Sequence, residues 1–210
     1  MEIIVFGATG MVGKQVVQQA LFMHKEVRAF GRNVFTSDLP DDEHLKLIQG
    51  ALFDAGEVYS AVRGCDAVIS VIGGGIDSND KTRTLGMKNI IAQMKKAGVN
   101  RIIALGGLGV LNASDTQLLI DQEDYPQAYK YVGKEHQEVW EMLKESGLSW
   151  TFVCAPDIIN DGPTGGYITS ADFPPSPNKG RINAGDLAMF MLNELDKNEY
   201  IGHRAGISAQ

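Results

Sequence analysis

Residues 3–13 read IIVFGATGMVG. Four β-favouring residues, Ile3 to Phe6, run directly into Gly7, Gly10 and Gly13. The residues that follow carry Val12, Val16, Val17, Ala20 and Leu21 at helical spacing. A strand, a glycine-rich turn and a helix in register leave few alternatives. Gly7 permits the tight turn, Gly10 lets the backbone approach a pyrophosphate, and Gly13 lets the helix pack closely on the strand. The free N–H groups and positive dipole end of the helix then face the phosphates. The stretch predicts a nucleotide site.

The rest of the chain repeats the alternation. Strands are expected at 2–6, 26–30, 45–49, 66–72, 100–105 and 150–154, with helices near 11–23, 55–63, 82–97, 132–146 and 184–196. Asp54 with Glu57 reads as a capping box, Gly98 and Gly147 fall where helix C-caps belong, and Asp186 lies near the start of the last helix. Alternating strands and helices predict an α/β fold: a Rossmann-type, doubly wound parallel sheet in the order 3-2-1-4-5-6. No internal repeat interrupts it. Residues 1–210 read as one domain, with 155–210 a small extension on the substrate side. Residues 160–180, rich in glycine and proline, read as a long loop.

Composition narrows the partners. The 210 residues carry a formal net charge of −7, which disfavours nucleic acid and anionic membranes. No apolar run is long enough for a membrane span, and the N-terminus enters a strand at once, so a cytoplasmic location without a signal peptide is expected. Cys65 and Cys154 lack zinc or CxxC spacing and read as buried small hydrophobes. His24, His44, His136 and His203 are scattered, so no metal site is expected.

The second strand reads EVRAFGRN. An NAD site usually carries a carboxylate at this strand's end to hold the ribose 2′-hydroxyl. Phe30 and Gly31 stand there instead, followed by Arg32, whose guanidinium suits a 2′-phosphate. NADPH is the expected cofactor.

GATGMVG resembles the atypical short-chain dehydrogenase/reductase group, in its NAD(P)H-binding, NmrA-like branch. Further stretches, GMKNIIAQMKKAGVNRII, ESGLSWTFVCAPDII, PTGGY and DLAMFMLNELDKNEYIGH, resemble the NADPH-dependent flavin reductases, also called biliverdin-IXβ reductases. A bacterial group named as NADH-flavin reductases shares the Gly106-Gly107-x-Gly109 turn and the Trp150-Thr151-x-Val153 strand. The resemblance spans essentially the whole chain. It implies that Thr9, Gly10, Met11 and Val12 line the pyrophosphate and that Arg32 takes the 2′-phosphate. It further implies that Ala51 and Leu52 flank the adenine, and that Gly73 lies under the ribose. By the same likeness Gly106 and Gly107 border the nicotinamide, and Pro156 to Ile158 close over it. The chain departs from the family at three positions: Ala51 replaces a common Asp, Gly107 a Ser and Asp157 a His.

Short-chain dehydrogenases use Ser, Tyr and Lys, the last two in a Tyr-x-x-x-Lys frame. Lys134 has the right context, but Lys130 holds the Tyr slot, with Tyr129 and Tyr131 on either side of it. Carbonyl chemistry of the ordinary kind is therefore disfavoured. Flavin reduction needs stacking and orientation more than an acid. The candidate catalytic residues are Asp157, placed to steer or protonate a substrate, and Lys134, placed to bind a ribose hydroxyl. Tyr129, Tyr131 and Tyr167 are candidates to wall a planar acceptor.

The expectation is an NADPH-dependent reductase of free flavins such as FMN or riboflavin, or of a similar tetrapyrrole or quinone, acting as a monomer or weak homodimer. The alternative is a non-catalytic NADP(H)-sensing module of the NmrA-like type. An isomerase or epimerase is a third reading, for which 210 residues leave little room for a sugar-nucleotide portion.

Overall fold

The computed structural model describes residues 1–75 and 80–210. In chain order the elements are β1 (Glu2–Phe6), α1 (Met11–Phe22), β2 (Glu26–Gly31), β3 (Leu45–Gln49), α2 (Ala55–Val62), β4 (Ala67–Ser70), α3 (Thr82–Ala97), β5 (Arg101–Gly107), α4 (Gln127–Glu145), β6 (Ser149–Ala155), β7 (Asp157–Ile159), β8 (Tyr167–Ala171), β9 (Arg181–Asn183), α5 (Ala184–Lys197) and β10 (Arg204–Ala209).

Eight strands form one sheet in the order β3-β2-β1-β4-β5-β6-β10-β8. Its first six strands carry the expected doubly wound order. Alternation along β1 explains its two covered faces. Ile3 and Val5 pack with Val16 and Val17 of α1 and with Leu187 and Met191 of α5. Ile4 and Phe6 face the other way, toward Val58 of α2, Met87 and Ile90 of α3, and Val139 and Leu143 of α4.

Local chemistry sets the helix ends. Asp54 Oδ1 accepts from Glu57 N at 2.8 Å and caps α2. The reciprocal half of the expected box is redirected: Glu57 Oε2 accepts from Ala51 N at 2.6 Å. Gly98 ends α3 and Gly147 follows α4, both at positive φ (72° and 74°) that disfavours side chains.

The C-terminal region corrects one expectation and adds a strand. Residues 160–180 are not one loop, because they contain β8, which pairs antiparallel to β10 from Tyr167↔Ala209 to Ala171↔Ala205. Strand β10, unforeseen in the sequence, continues the parallel sheet beside β6. Within 155–210, α5 and β10 add to the core, with α5 packed against α1. Helix α4 begins at Gln127, five residues earlier than expected, so Lys134 lies well inside it rather than at its start. Among the described residues, no helix is long and apolar enough to cross a membrane.

Candidate functional site

The β1–α1 turn is built on close backbone contact. Gly7 has φ of 84°, and a β-carbon placed on it would lie 2.5 Å from the Val71 carbonyl oxygen. On Gly13 the β-carbon would fall 2.1 Å from the Gly7 carbonyl oxygen, so α1 reaches β1 only through glycine. Gly10 differs: its nearest such neighbour is the Gly7 carbonyl oxygen at 3.4 Å, and the space beyond is open. Gly10 is the N-cap of α1 and offers no side-chain cap. The first N–H groups of α1 therefore point into a groove, as an anion site requires.

Three cavities line up along the C-terminal ends of the strands. The first, about 400 Å³, is bounded by Gly7, Thr9, Arg32, Ala51, Leu52 and Gly73. The second, about 340 Å³, meets the first at Gly73 and is bounded by Gly10, Met11, Val12, Gly106, Gly107, Pro156 and Ile158. The third, about 380 Å³, opens from the second at Gly107, His136, Ala155 and Pro156. The structure brings most of the sequence-derived residues together; Gly13, Lys134, Tyr131 and Tyr167 are the exceptions. Gly13 lies beneath the turn as a packing residue. Lys134 is exposed and lines none of these three cavities.

The geometry of α4 explains Lys134. Its groove-facing residues are Tyr129, Val132, Gly133 and His136, the spacing of one helix face. On that face Tyr129 is followed four residues on by Gly133, and Val132 by His136, so it carries no Tyr-x-x-x-Lys pair, and Lys134 lies off it. Asp157 is exposed at the rim of the third cavity, on β7. Of the tyrosines, Tyr129 walls that cavity, as expected. Tyr131 instead lies under the Lys81 ammonium, and Tyr167 packs edge-on against Phe190, so neither forms the wall.

Two side chains of the third cavity that carry polar groups escape the sequence reading, Tyr125 and His136. Tyr125 seats its hydroxyl between two glycines: β-carbons on Gly109 and Gly133 would lie 2.5 and 3.1 Å from it. Burial pushes its phenol up. His136 lies at the junction of the second and third cavities. A β-carbon on Gly107 would come within 2.9 Å of its Cδ2. The side chain that β5 lacks at Gly107 is thus replaced in space by an imidazole from α4. Burial, reinforced by the Arg83 charge, holds that imidazole down to about 3, so it is neutral at pH 7.

The same geometry tests the fit of a dinucleotide. An open glycine cradle stands before uncapped helix N–H groups, and nothing lies within 4 Å of a β-carbon on Gly73. Arg32 stands at one end and the β5–β6 ends at the other. These residues fit an extended dinucleotide laid across the sheet's switch point.

Fold and groove together define a Rossmann-type dinucleotide-binding protein. The chain belongs to the NAD(P)H-binding family, whose sequence model matches residues 7–198. It is similar in structure to a Streptococcus pneumoniae protein provisionally named an NADH-flavin reductase, with 29% identity, 100% of both chains covered and a TM-score of 0.84. It is similar also to a Bacteroides thetaiotaomicron protein provisionally named an epimerase, with 29% identity, a TM-score of 0.87 and coverage of 99% and 96%. An uncharacterized chloroplast protein of Arabidopsis thaliana is 26% identical over 80% of this chain, which spans 62% of that protein's length.

Proposed function

We propose that this protein is an NADPH-dependent reductase that passes hydride to a planar acceptor, a free flavin or a ring system of similar shape. The observation that carries the reading is the continuity of the groove. The two cavities suited to a dinucleotide lead, past His136 and Gly107, into a third walled by Leu108, Tyr125, Pro126, Tyr129 and Val132. A largely apolar cavity of about 380 Å³ lies within the size range of small-molecule sites. The likeness to a protein named for flavin reduction points the same way.

When bound, the reduced nicotinamide supplies the hydride, and the chain's own residues supply orientation. Gly106 and Gly107 present bare backbone, so nothing on β5 separates donor from acceptor. A β-carbon on Gly106 would fall within 2.3 Å of the Phe152 ring, which backs the floor from behind. Tyr129 and Pro126 offer flat faces for stacking. His136, neutral, offers one ring N–H donor and one ring acceptor at the junction. Asp157, at the solvent edge, suits proton exchange with water rather than an obligatory transfer. Stacking and alignment of this kind lower the barrier without an acid.

Arg32 supports NADPH over NADH. It borders the first cavity just beyond Gly31, the last residue of β2, where no carboxylate stands to repel a phosphate.

The absence of a hydroxyl at Gly107 and of a Tyr-x-x-x-Lys pair among the groove-facing residues of α4 favour a second reading, a sensor of the NADP(H) state without turnover. Steady-state NADPH oxidation with riboflavin, FMN, biliverdin and quinones separates the two. Turnover of at least one acceptor supports the reductase. Tight NADPH binding with none supports the sensor.

A further inference from the structure

The second cavity has an anion-binding device on each side. On one side are the uncapped N–H groups of α1 at Met11 and Val12. On the other is Arg83, the second residue of α3 and the one Lys or Arg among the described residues lining this cavity. Lys14, in the first turn of α1, reaches away to Asp38 at 3.3 Å. In a chain of net charge −7, the field in this cavity depends on a local cation.

The Arg83 side chain is held in place before any ligand arrives. Its Nη1 donates to the Gly75 carbonyl and its Nη2 to the Gly74 carbonyl, each at 3.0 Å. A guanidinium has five N–H donors, so these two bonds fix the plane and leave others for a ligand. Two carboxylates, Asp80 and Glu135, act on its charge, and the hydrogen bonds found for them among the described residues go to other groups. Asp80 accepts from the Gly75 and Thr82 amides, and Glu135 binds Lys81 and Thr84. Burial lowers the Arg83 guanidinium from its ordinary value, though it stays cationic.

We propose that Arg83 is a pyrophosphate-binding residue, gripping the dinucleotide's diphosphate from the face opposite the α1 N-terminus. The planar fork suits two phosphate oxygens, and preorganisation by the Gly74 and Gly75 carbonyls spares the entropy of ordering it on binding. Arg32 and Arg83 then divide the work. Arg32 reads the 2′-phosphate in the first cavity, and Arg83 takes the diphosphate in the second. The assignment rests on dinucleotide binding alone and is independent of the acceptor.

Calorimetric titration of two probes tests it. NADP⁺ carries both phosphate groups; adenosine 2′-monophosphate carries only the 2′-phosphate. Arg83→Gln should weaken NADP⁺ on the order of tenfold at low salt, the worth of one charge-assisted contact, and leave adenosine 2′-monophosphate unchanged. Arg83→Lys, which keeps the charge, should recover part of the loss. The gap between wild type and Arg83→Gln should narrow at high salt, because a charge contact is screened and a packing defect is not. Unchanged NADP⁺ affinity in Arg83→Gln would overturn the proposal. So would equal losses for both probes in both variants, the mark of a merely structural role. A wild-type protein that binds neither probe would overturn the nucleotide reading as well.

Discussion

The His136 ring occupies the space that a side chain on Gly107 would need, with Cδ2 2.9 Å from a β-carbon built there. The two positions therefore act as one unit. Gly107→Ser alone should destabilise the protein by roughly 1–3 kcal/mol, the usual cost of overpacking. His136→Ala should relieve that cost, so the double variant should be more stable than the two single losses summed. Thermal melts of the four proteins in a double-mutant cycle check this.

The neutral state of His136 sets a pH dependence. Its folded value is held near 3, against an ordinary value of 6.5, so between these limits the unfolded chain binds the extra proton. Stability then rises with pH in this window and is lost as pH falls from about 6.5, with a slope from this group of at most about 1.4 kcal/mol per pH unit. Urea melts from pH 7 to pH 4, compared with His136→Phe, measure it. The variant should lose part of the slope.

Gly10 and Gly13 should respond oppositely to substitution. Gly10→Val has open space at the N-cap and extended backbone, so the fold should survive while NADPH binding is lost. Gly13→Ala meets the Gly7 carbonyl oxygen at 2.1 Å and the Ala8 Cα at 2.7 Å, neither a flexible side chain. It should cost about 2 kcal/mol or more. Circular dichroism and calorimetry on both variants distinguish a cradle from a plain turn.

Arg32→Ala should lower NADPH affinity by about tenfold or more and leave NADH within about twofold, because one charge-assisted phosphate contact is removed. Equal effects on both cofactors would remove Arg32 from the 2′-phosphate.

Much of this fold was legible in the sequence because it is periodic. The β1–α1 motif, six strands in order and the glycines at 98 and 147 follow from local pattern. Strands β8 and β10 were not legible. RAGISA is short, contains Gly206 and is buried along nearly its whole length, so it shows no alternation. YITSA sits within a glycine- and proline-rich segment that masks it. The early start of α4 had a signal, since Pro126 suits a helix beginning. His136 had one too. Tyr129, Val132, Gly133 and His136 share one face, but only the fold shows that this face turns to the groove. Lys134 was chosen from its motif context, and that face leaves it exposed.

Exposure fixes an expectation for the catalytic candidates Lys134 and Asp157. Lys134→Ala should leave both NADPH affinity and turnover within about twofold, because it is exposed and lines none of the three cavities. Removing a true proton donor costs about 10²–10⁴ in rate. Asp157→Ala, at an exposed rim, should lower flavin turnover by less than about tenfold on that scale.

The central claim is hydride transfer to a planar acceptor in the cavity beside His136. Anaerobic NADPH oxidation by the wild-type protein and by Tyr129→Ala, with riboflavin as acceptor, tests it most directly. Turnover by the wild type, with KM for riboflavin raised several-fold in Tyr129→Ala and NADPH affinity unchanged, is the predicted result. Tight NADPH binding without reduction of riboflavin, FMN, biliverdin or any quinone would contradict it.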